Sequence, residues 1–142
     1  MTPVLSAESL RAFFDEAFPQ VREGGFTVES VEPGEAVIRL ATREHHLRPG
    51  GTVSGPTLFA LCDTGAYAVI LAHVGPQALA VTTSAHVDFL VRPAPGALSC
   101  RTRLLKLGRR LAVTEAHVTD EVGTVVARAS LTYSLPPKTS GA

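Results

Sequence analysis

The stretch TLFALCDTGAYAVILAHV, residues 57–74, decides the fold of this chain. It is apolar almost all the way round, Pro56 stands at its start and Gly75-Pro76 follows its end, a pattern typical of a buried helix. A membrane span would need about 20 apolar residues, and this stretch is interrupted by Asp63 and His73. The sequence therefore predicts a long core helix that needs apolar cover over its whole circumference.

The segments around this helix have strand character, because their apolar residues alternate with polar ones. A hairpin is predicted over residues 26–41, with Glu32-Pro33-Gly34-Glu35 at its turn. After the helix, four strands are predicted over Leu79–Arg92, Ala97–Leu107, Arg110–Asp120 and Thr124–Leu135. Since the links between consecutive strands are short, we expect these four to form an antiparallel meander.

A short amphipathic helix is predicted ahead of the hairpin, capped by Ser6 and ending before Pro19. Residues 42–55 form a long polar loop that is rich in glycine, and such loops often carry function. His45 and His46 in this loop are interpreted as exposed structural residues. The order of elements indicates an α+β fold in which a six-stranded sheet curves around one helix.

Composition limits the organisation of the chain and its partners. Its 142 residues suit one domain, which we place at residues 1–135, with a disordered tail at residues 136–142. Thirteen basic side chains balance thirteen acidic ones, so no overall field favours nucleic acid or an anionic membrane. The start lacks a signal peptide, so we expect a cytoplasmic protein. Cys62 and Cys100 lack CxxC spacing and are interpreted as reduced core thiols, not as zinc ligands.

Asp63 is the most informative residue for function. It is the only charged side chain between Arg48 and Asp88, and it lies in the most apolar segment of the chain. Burying a lone carboxylate is costly unless it is hydrogen-bonded. One interpretation is a structural Asp63 held by backbone amides of the long loop. The other is a general base or a nucleophile.

The start of the long helix is a second candidate site. Unpaired N–H groups and the helix dipole favour negative charge there, so the N–H of Gly55 or Thr57 could stabilise an oxyanion. The alternative is ordinary helix-start chemistry. Gly55 and Asp63 are eight positions apart, about 12 Å along a helix, so one carbonyl cannot touch both. If both act on one substrate, they come from two subunits whose helices lie antiparallel at a two-fold axis.

Four stretches resemble a known family. Residues 48–63, RPGGTVSGPTLFALCD, resemble the N-x-x-G-x-x-H-G-G-x-x-x-x-L-x-D signature of phenylacetate-pathway-type thioesterases in the 4-hydroxybenzoyl-CoA thioesterase-like superfamily. Residues 82–94, TTSAHVDFLVRPA, resemble that family's T-x-x-x-x-x-x-F-L-R-P strand, and residues 107–110 and 120–127 resemble its last strands. The resemblance implies a hotdog fold, in which a curved six-stranded antiparallel sheet wraps around a long central helix beside a short N-terminal helix.

The resemblance also implies roles for individual residues. Asp63 matches the carboxylate that activates water or attacks the thioester, Gly55 the backbone donor to the thioester oxygen, and Thr82 the hydroxyl that orients water. Three positions depart from the signature, with Arg48 for Asn, Ser54 for His and Pro56 for the second Gly. We add Arg48 to the catalytic candidates as a substrate contact. The substrate-binding candidates are Ser54, Pro56, Thr57, Tyr67, Thr83, Arg92 and Arg109, the two arginines for the CoA phosphates.

The expected activity is hydrolysis of an acyl-CoA to a free acid and CoA, with no metal or redox cofactor and CoA present only as part of the substrate. The family builds its sites across two subunits, so we expect a dimer with shared active sites that pairs into a tetramer. One alternative is a non-catalytic acyl-CoA-binding hotdog protein, suggested by the three departures. Another is a dehydratase or hydratase, which would need a His–acid pair where this helix offers only Asp63.

Overall fold

The computed structural model describes residues 1–137. Its elements are α1 (Ala7–Ala17), α2 (Gln20–Glu23), β1 (Phe26–Glu32), β2 (Glu35–Ala41), a 3-10 turn (Glu44–His46), α3 (Gly55–Val74), β3 (Val81–Phe89), β4 (Ala97–Leu107), β5 (Leu111–Thr119) and β6 (Val125–Ser134). The predicted hotdog architecture is confirmed, since one curved six-stranded antiparallel sheet wraps around α3. Most of the tail predicted to be disordered, residues 138–142, lies outside the described residues.

The N-terminal helix forms where its cap predicts. Ser6 Oγ accepts from the Ser9 N–H at 3.1 Å, and Ser9 Oγ accepts from the Ser6 N–H at 2.8 Å, which satisfies two donors at the helix start. α1 buries Leu10 and Phe14 against the core. The sequence does not predict α2, a single turn that follows Pro19 and directs the chain into β1.

The order of strands in the sheet is β1-β2-β4-β5-β6-β3. The predicted meander is therefore wrong at its first link, because β3 pairs with β6 and β4 pairs with β2. The link over residues 90–96 contains Pro93 and Pro95, which cannot donate to a hairpin ladder. This link instead carries the chain from the edge strand β3 to the middle of the sheet.

α3 fills the interior of the sheet, and every residue from 65 to 73 is buried. Gly65 permits close packing on β4, since a Cβ at this position would overlap Thr102 Oγ1 and lie 3.2 Å from Cys100 Sγ. The length and composition of α3 would allow it to span a membrane, but 72% of its most apolar stretch is buried inside the fold. It is the core helix of the domain. Cys62 and Cys100 are both buried and free.

Two buried histidines form hydrogen bonds that hold loops against this core. The His73 ring donates from Nδ1 to the Val69 carbonyl at 2.7 Å, and its Nε2 accepts from the Gly34 N–H at 2.8 Å. His46 accepts at Nδ1 from the Arg43 N–H and bonds the Gly24 carbonyl through Nε2, both at 2.8 Å. The prediction of an exposed His46 is wrong, because the 3-10 turn directs its ring inward. Both rings have structural roles.

Candidate active site

The side chain of Asp63 lies on the face of α3 that the sheet leaves open, and it is partly exposed. Its Oδ1 accepts two hydrogen bonds, from Thr82 Oγ1 at 2.6 Å and from the Tyr133 hydroxyl at 2.7 Å. The Tyr133 hydroxyl also lies 3.0 Å from the Asp63 carbonyl oxygen. Among residues 1–137, no protein donor bonds to Oδ2. The carboxylate is thus fixed through one oxygen, and its other oxygen is open to a reactant.

The sheet register creates this arrangement. Thr82 on β3 and Tyr133 on β6 are direct cross-strand partners, so their side chains project from the same face of the sheet. A bulge between Thr82 and Ser84 then breaks the alternation. Thr83 is left exposed, and its hydroxyl donates to the Thr132 carbonyl at 3.2 Å. Asp63 is therefore satisfied by two hydroxyls from the sheet, and not by amides of the long loop.

Burial raises the pKa of the Tyr133 phenol well above its ordinary value, and the neighbouring Asp63 charge raises it further. The phenol therefore keeps its proton at neutral pH and can donate it in a hydrogen bond to Asp63. Burial also raises the pKa of Tyr67, whose hydroxyl donates to the Ala78 carbonyl at 3.2 Å. Tyr133 is absent from the residues predicted for the site. In the sequence it alternates with Leu131 and Leu135 as an ordinary core position, so only the register identifies it.

A cleft of about 590 Å³ opens beside Asp63. It lies between the α1–α2 segment, α3 and the start of β3, and three of the predicted site residues line it: Asp63, Thr82 and Tyr67. The ring of Phe18 meets Tyr67 edge-on at 5.9 Å between centroids, and Tyr67 stacks on Tyr133 at 6.1 Å. The cleft thus joins the Asp63 carboxylate to an aromatic wall that the sequence did not reveal.

The start of α3 is a separate place in the molecule. Ser54 caps it through an Oγ that accepts from the Thr57 N–H at 3.3 Å and lies 2.8 Å from Thr57 Oγ1. In the described part of the chain, the N–H of Gly55 has no backbone acceptor. Gly55 and Asp63 lie on the same helix at its predicted spacing, about 12 Å apart along the axis. Within one chain, they do not meet.

The predicted arginines lie on the surface. Arg48, Arg92 and Arg109 are exposed, and none of them lines the cleft. The Arg48 backbone forms a turn, with its N–H donating to the Thr52 carbonyl at 2.9 Å. Several other candidates also lie outside the cleft lining, namely Gly55, Ser54, Pro56, Thr57 and Thr83. Their roles stay predictions. Over residues 1–137, no three potential metal-ligating side chains gather at one point.

Comparison with known proteins identifies the family. The model of the thioesterase superfamily matches residues 50–127, which is more than half of the chain. This chain belongs to the thioesterase superfamily. The matched region contains α3, Asp63 and Thr82, so the superfamily assignment covers the centre of the candidate site. No curated protein matches the sequence.

Solved structures agree with this superfamily assignment. A candidate thioesterase from Silicibacter sp. TM1040 is 48% identical, with a TM-score of 0.88 over 96% of each chain. A variant of the phenylacetic acid degradation protein PaaI from Thermus thermophilus is 28% identical, with a TM-score of 0.74 over 83% of this chain and 99% of that one. A Streptococcus mutans protein bound to acetyl CoA is 24% identical, with a TM-score of 0.71 over 81% of this chain and 91% of that one. This last likeness shows the fold alone.

Proposed function

We propose that this chain hydrolyses an acyl-CoA to a free acid and CoA, with Asp63 as general base or nucleophile. The observation that carries the proposal is the Asp63 carboxylate, whose Oδ1 is fixed by two hydroxyls at 2.6 and 2.7 Å beside an open cleft. Superfamily membership supports thioester chemistry. That the thiol is CoA draws support from the PaaI-like sequence motifs, and the acetyl CoA bound to the S. mutans protein shows that this fold can accommodate such a ligand.

The proposed mechanism follows from the geometry of Asp63. Thr82 and Tyr133 are positioning residues, since their O–H groups hold Oδ1 and so orient Oδ2 toward the cleft. Oδ2 then removes a proton from water as the water attacks the thioester carbonyl, or attacks that carbonyl itself. The carbonyl oxygen becomes an oxyanion, and its stabilisation is assigned to the Gly55 N–H at a helix start. The C–S bond then breaks. In the general-base route, the CoA thiolate takes the proton that Asp63 removed from water, and the free acid is released. In the nucleophilic route, water hydrolyses the acyl–Asp63 anhydride to release the acid, and the thiolate takes up the proton from that water.

The distance between Gly55 and Asp63 supports a site shared by two copies of the chain. Antiparallel α3 helices across a two-fold axis would bring Gly55 of one copy to Asp63 of the other. The edge strand β3 supports such pairing, because Val81 and Phe89 on it are 55% and 56% exposed. An exposed apolar edge strand is a ready surface for a second chain. We expect dimers that pair into tetramers, with Arg92 and Arg109 contacting the CoA phosphates and Arg48 contacting the substrate near the thioester.

A non-catalytic acyl-CoA-binding protein is the second candidate. One observation favours it: where the family signature has His, Ser54 uses its hydroxyl to cap α3 and bond Thr57. This position therefore offers no free imidazole to polarise the carbonyl. The cleft and Asp63 would remain as a binding site without turnover.

Thiol release from a panel of acyl-CoAs, with Asp63→Asn as the variant, tests the proposal. Asparagine keeps the shape of Asp63 but cannot accept a proton, so kcat should fall by about 10² to 10⁴. Asp15→Asn removes an exposed carboxylate outside the cleft and should leave kcat unchanged. If wild type binds CoA esters and hydrolyses none, the binding-protein candidate replaces the enzyme. Activity of Asp63→Asn within a few-fold of wild type would remove Asp63 from its role.

A further inference from the structure

The lining of the cleft is mostly apolar beyond the Asp63 cluster. Phe18, Val21 and Phe26 form the wall contributed by the N-terminal segment, and Tyr67 adds an aromatic ring from α3. The Tyr67 ring is held in place, because it stacks on Phe14 at 5.7 Å with an interplanar angle of 15°. Its hydroxyl is also tied to a backbone carbonyl, as described above. Packing and this hydrogen bond therefore hold the Tyr67 part of the wall in place.

The size of the cleft bears on what it can hold. A volume of about 590 Å³ lies within the range of small-molecule sites, about 300 to 1,000 Å³. An acetyl group would fill little of this space and would leave the aromatic wall in contact with water. A longer acyl group would bury that wall, and apolar contact stabilises binding roughly in proportion to the area covered.

The charge of the lining disfavours one class of acyl group. Among the described residues that line the cleft, Asp63 is the only charged one, and none is Lys, Arg or His. A carboxylate at the far end of an acyl group would find no cation among these residues, and the Asp63 charge would repel it. A neutral acyl chain or ring needs no cation and is not repelled by Asp63.

We infer that this cleft is the acyl-group site, that it takes neutral apolar acyl groups longer than acetyl, and that the aromatic wall of Phe18, Phe26 and Tyr67 sets this specificity. The inference rests on the proposed thioesterase function and adds the substrate class. The thioester carbonyl lies at the Asp63 end, and the acyl group extends along the aromatic wall beneath the α1–α2 segment. The turn α2 thus acts as part of the specificity site.

The test compares two substrates that differ in one group. Hexanoyl-CoA and adipoyl-CoA have the same six-carbon chain, but adipoyl-CoA ends in a carboxylate. The kcat/KM for hexanoyl-CoA should exceed that for adipoyl-CoA by about tenfold, because the adipoyl carboxylate is repelled by Asp63 and finds no cation in the cleft. It should also exceed that for acetyl-CoA. Phenylacetyl-CoA distinguishes a preference for rings from one for straight chains, and both fit the inference.

The variant Gln20→Arg tests directly whether the acyl group lies in this cleft. Gln20 is an exposed residue of α2 that lines the cleft, so an arginine there can meet the adipoyl carboxylate without entering the core. The preference for hexanoyl-CoA over adipoyl-CoA should fall by about two- to fivefold, mainly through the KM for adipoyl-CoA. Val122→Arg places the same cation on a turn that is 85% exposed and outside the cleft, and should leave the ratio unchanged.

The outcomes distinguish failure of the inference about the acyl-group site from failure of the proposed thioesterase function. If wild type hydrolyses both six-carbon esters with kcat/KM values within about threefold, and Gln20→Arg does not alter the ratio, the acyl site lies elsewhere while thioesterase activity stands. If none of the esters releases thiol, the proposed function fails, and the specificity inference fails with it.

Discussion

The two halves of α3 have similar amino-acid character but opposite surroundings. In the second half, residues 65–73 are all buried beneath the sheet. In the first half, Pro56 and Phe59 are exposed, and Asp63 and Thr64 are partly exposed. The comparison shows that the fold covers the second half of the helix on all sides, whereas in the first half it covers only the face that carries Leu58, Leu61 and Cys62. The opposite face of the first half is open to a substrate and, as proposed, to a second copy of the chain.

The same contrast explains where a carboxylate is tolerated. A charge in the second half would be buried among apolar side chains of the sheet at a high cost. In the first half, Asp63 retains contact with the cleft and receives two hydroxyl donors. The helix therefore combines a half that stabilises the fold and a half that carries the candidate site. Three variants, two of them with a control, test that division from the largest expected effect to the smallest.

Gly65→Val should have the largest effect, because it adds a branched side chain where even a Cβ would overlap Thr102 Oγ1. We expect a loss of about 3 kcal/mol or more of unfolding free energy, measured by denaturant titration. Ala60→Val makes a smaller addition on the open half of α3, and should cost less than about 1 kcal/mol. Similar losses at the two positions would contradict the division of the helix.

Gly55→Pro tests the half that carries the candidate site by removing one N–H. Proline is tolerated at the first position of a helix, and Ser54 before it already has the extended backbone that precedes proline, with φ −72° and ψ 152°. The fold should therefore persist while kcat falls by about a hundredfold, as expected for one lost oxyanion donor. Thiol release measures kcat, and thermal melting checks the fold.

Gly55→Ala is the matched control, since it keeps the N–H. Its added Cβ would lie 3.6 Å from the Phe89 ring, an ordinary contact, so it should lose much less activity than Gly55→Pro. Equal activity of the two variants would mean that the Gly55 N–H does not stabilise the oxyanion.

Tyr133→Phe has the smallest expected effect on catalysis. It removes one of two donors to Asp63 Oδ1 and keeps Thr82, so kcat should fall by about tenfold with little change in KM. Steady-state kinetics measure both constants. A change confined to KM would mean that Tyr133 contacts the substrate and does not position Asp63.

The same variant should alter stability at alkaline pH. Burial raises the pKa of Tyr133 in the folded state, so the unfolded chain loses this proton at a lower pH than the folded chain does. The stability that this difference in pKa contributes is fully present below about pH 10, the ordinary pKa of tyrosine. It is lost as the pH rises toward the pKa of Tyr133 in the folded state. Thermal melts from about pH 9 to pH 11 should show a steeper loss of stability for wild type than for Tyr133→Phe. Equal slopes would contradict this.

Local patterns predicted the elements of the fold better than their arrangement. The cap at Ser6 and the apolar run at residues 57–74 fixed two helices, because capping and periodicity act over a few residues. The strands were found for the same reason, although Leu79 and Ala80 precede β3 instead of starting it. The meander was wrong because short links favour neighbouring strands, whereas the proline-containing link after β3 crosses to the middle of the sheet.

The sequence likewise predicted some residues of the candidate site and missed others. Asp63 was conspicuous as a lone charge in an apolar segment, and Thr82 followed from the family resemblance. Tyr133 was hidden, because an aromatic residue in an alternating strand looks like any core position. The specificity wall was also hidden, because α2 and Phe18 reach α3 only after the chain has folded.

By itself, the sequence determined a core helix with one acid, enough alternating strands to enclose it, and membership of a thioester-hydrolysing family. Tertiary structure alone decided which oxygen of Asp63 is held, which side chains wall the cleft, and which half of α3 the sheet covers. The physical reason is the separation in sequence over which each kind of interaction acts. Helix caps and hydrophobic periods are set by neighbours in the chain, whereas a pair such as Thr82 and Tyr133 is set by the register of two strands far apart in sequence.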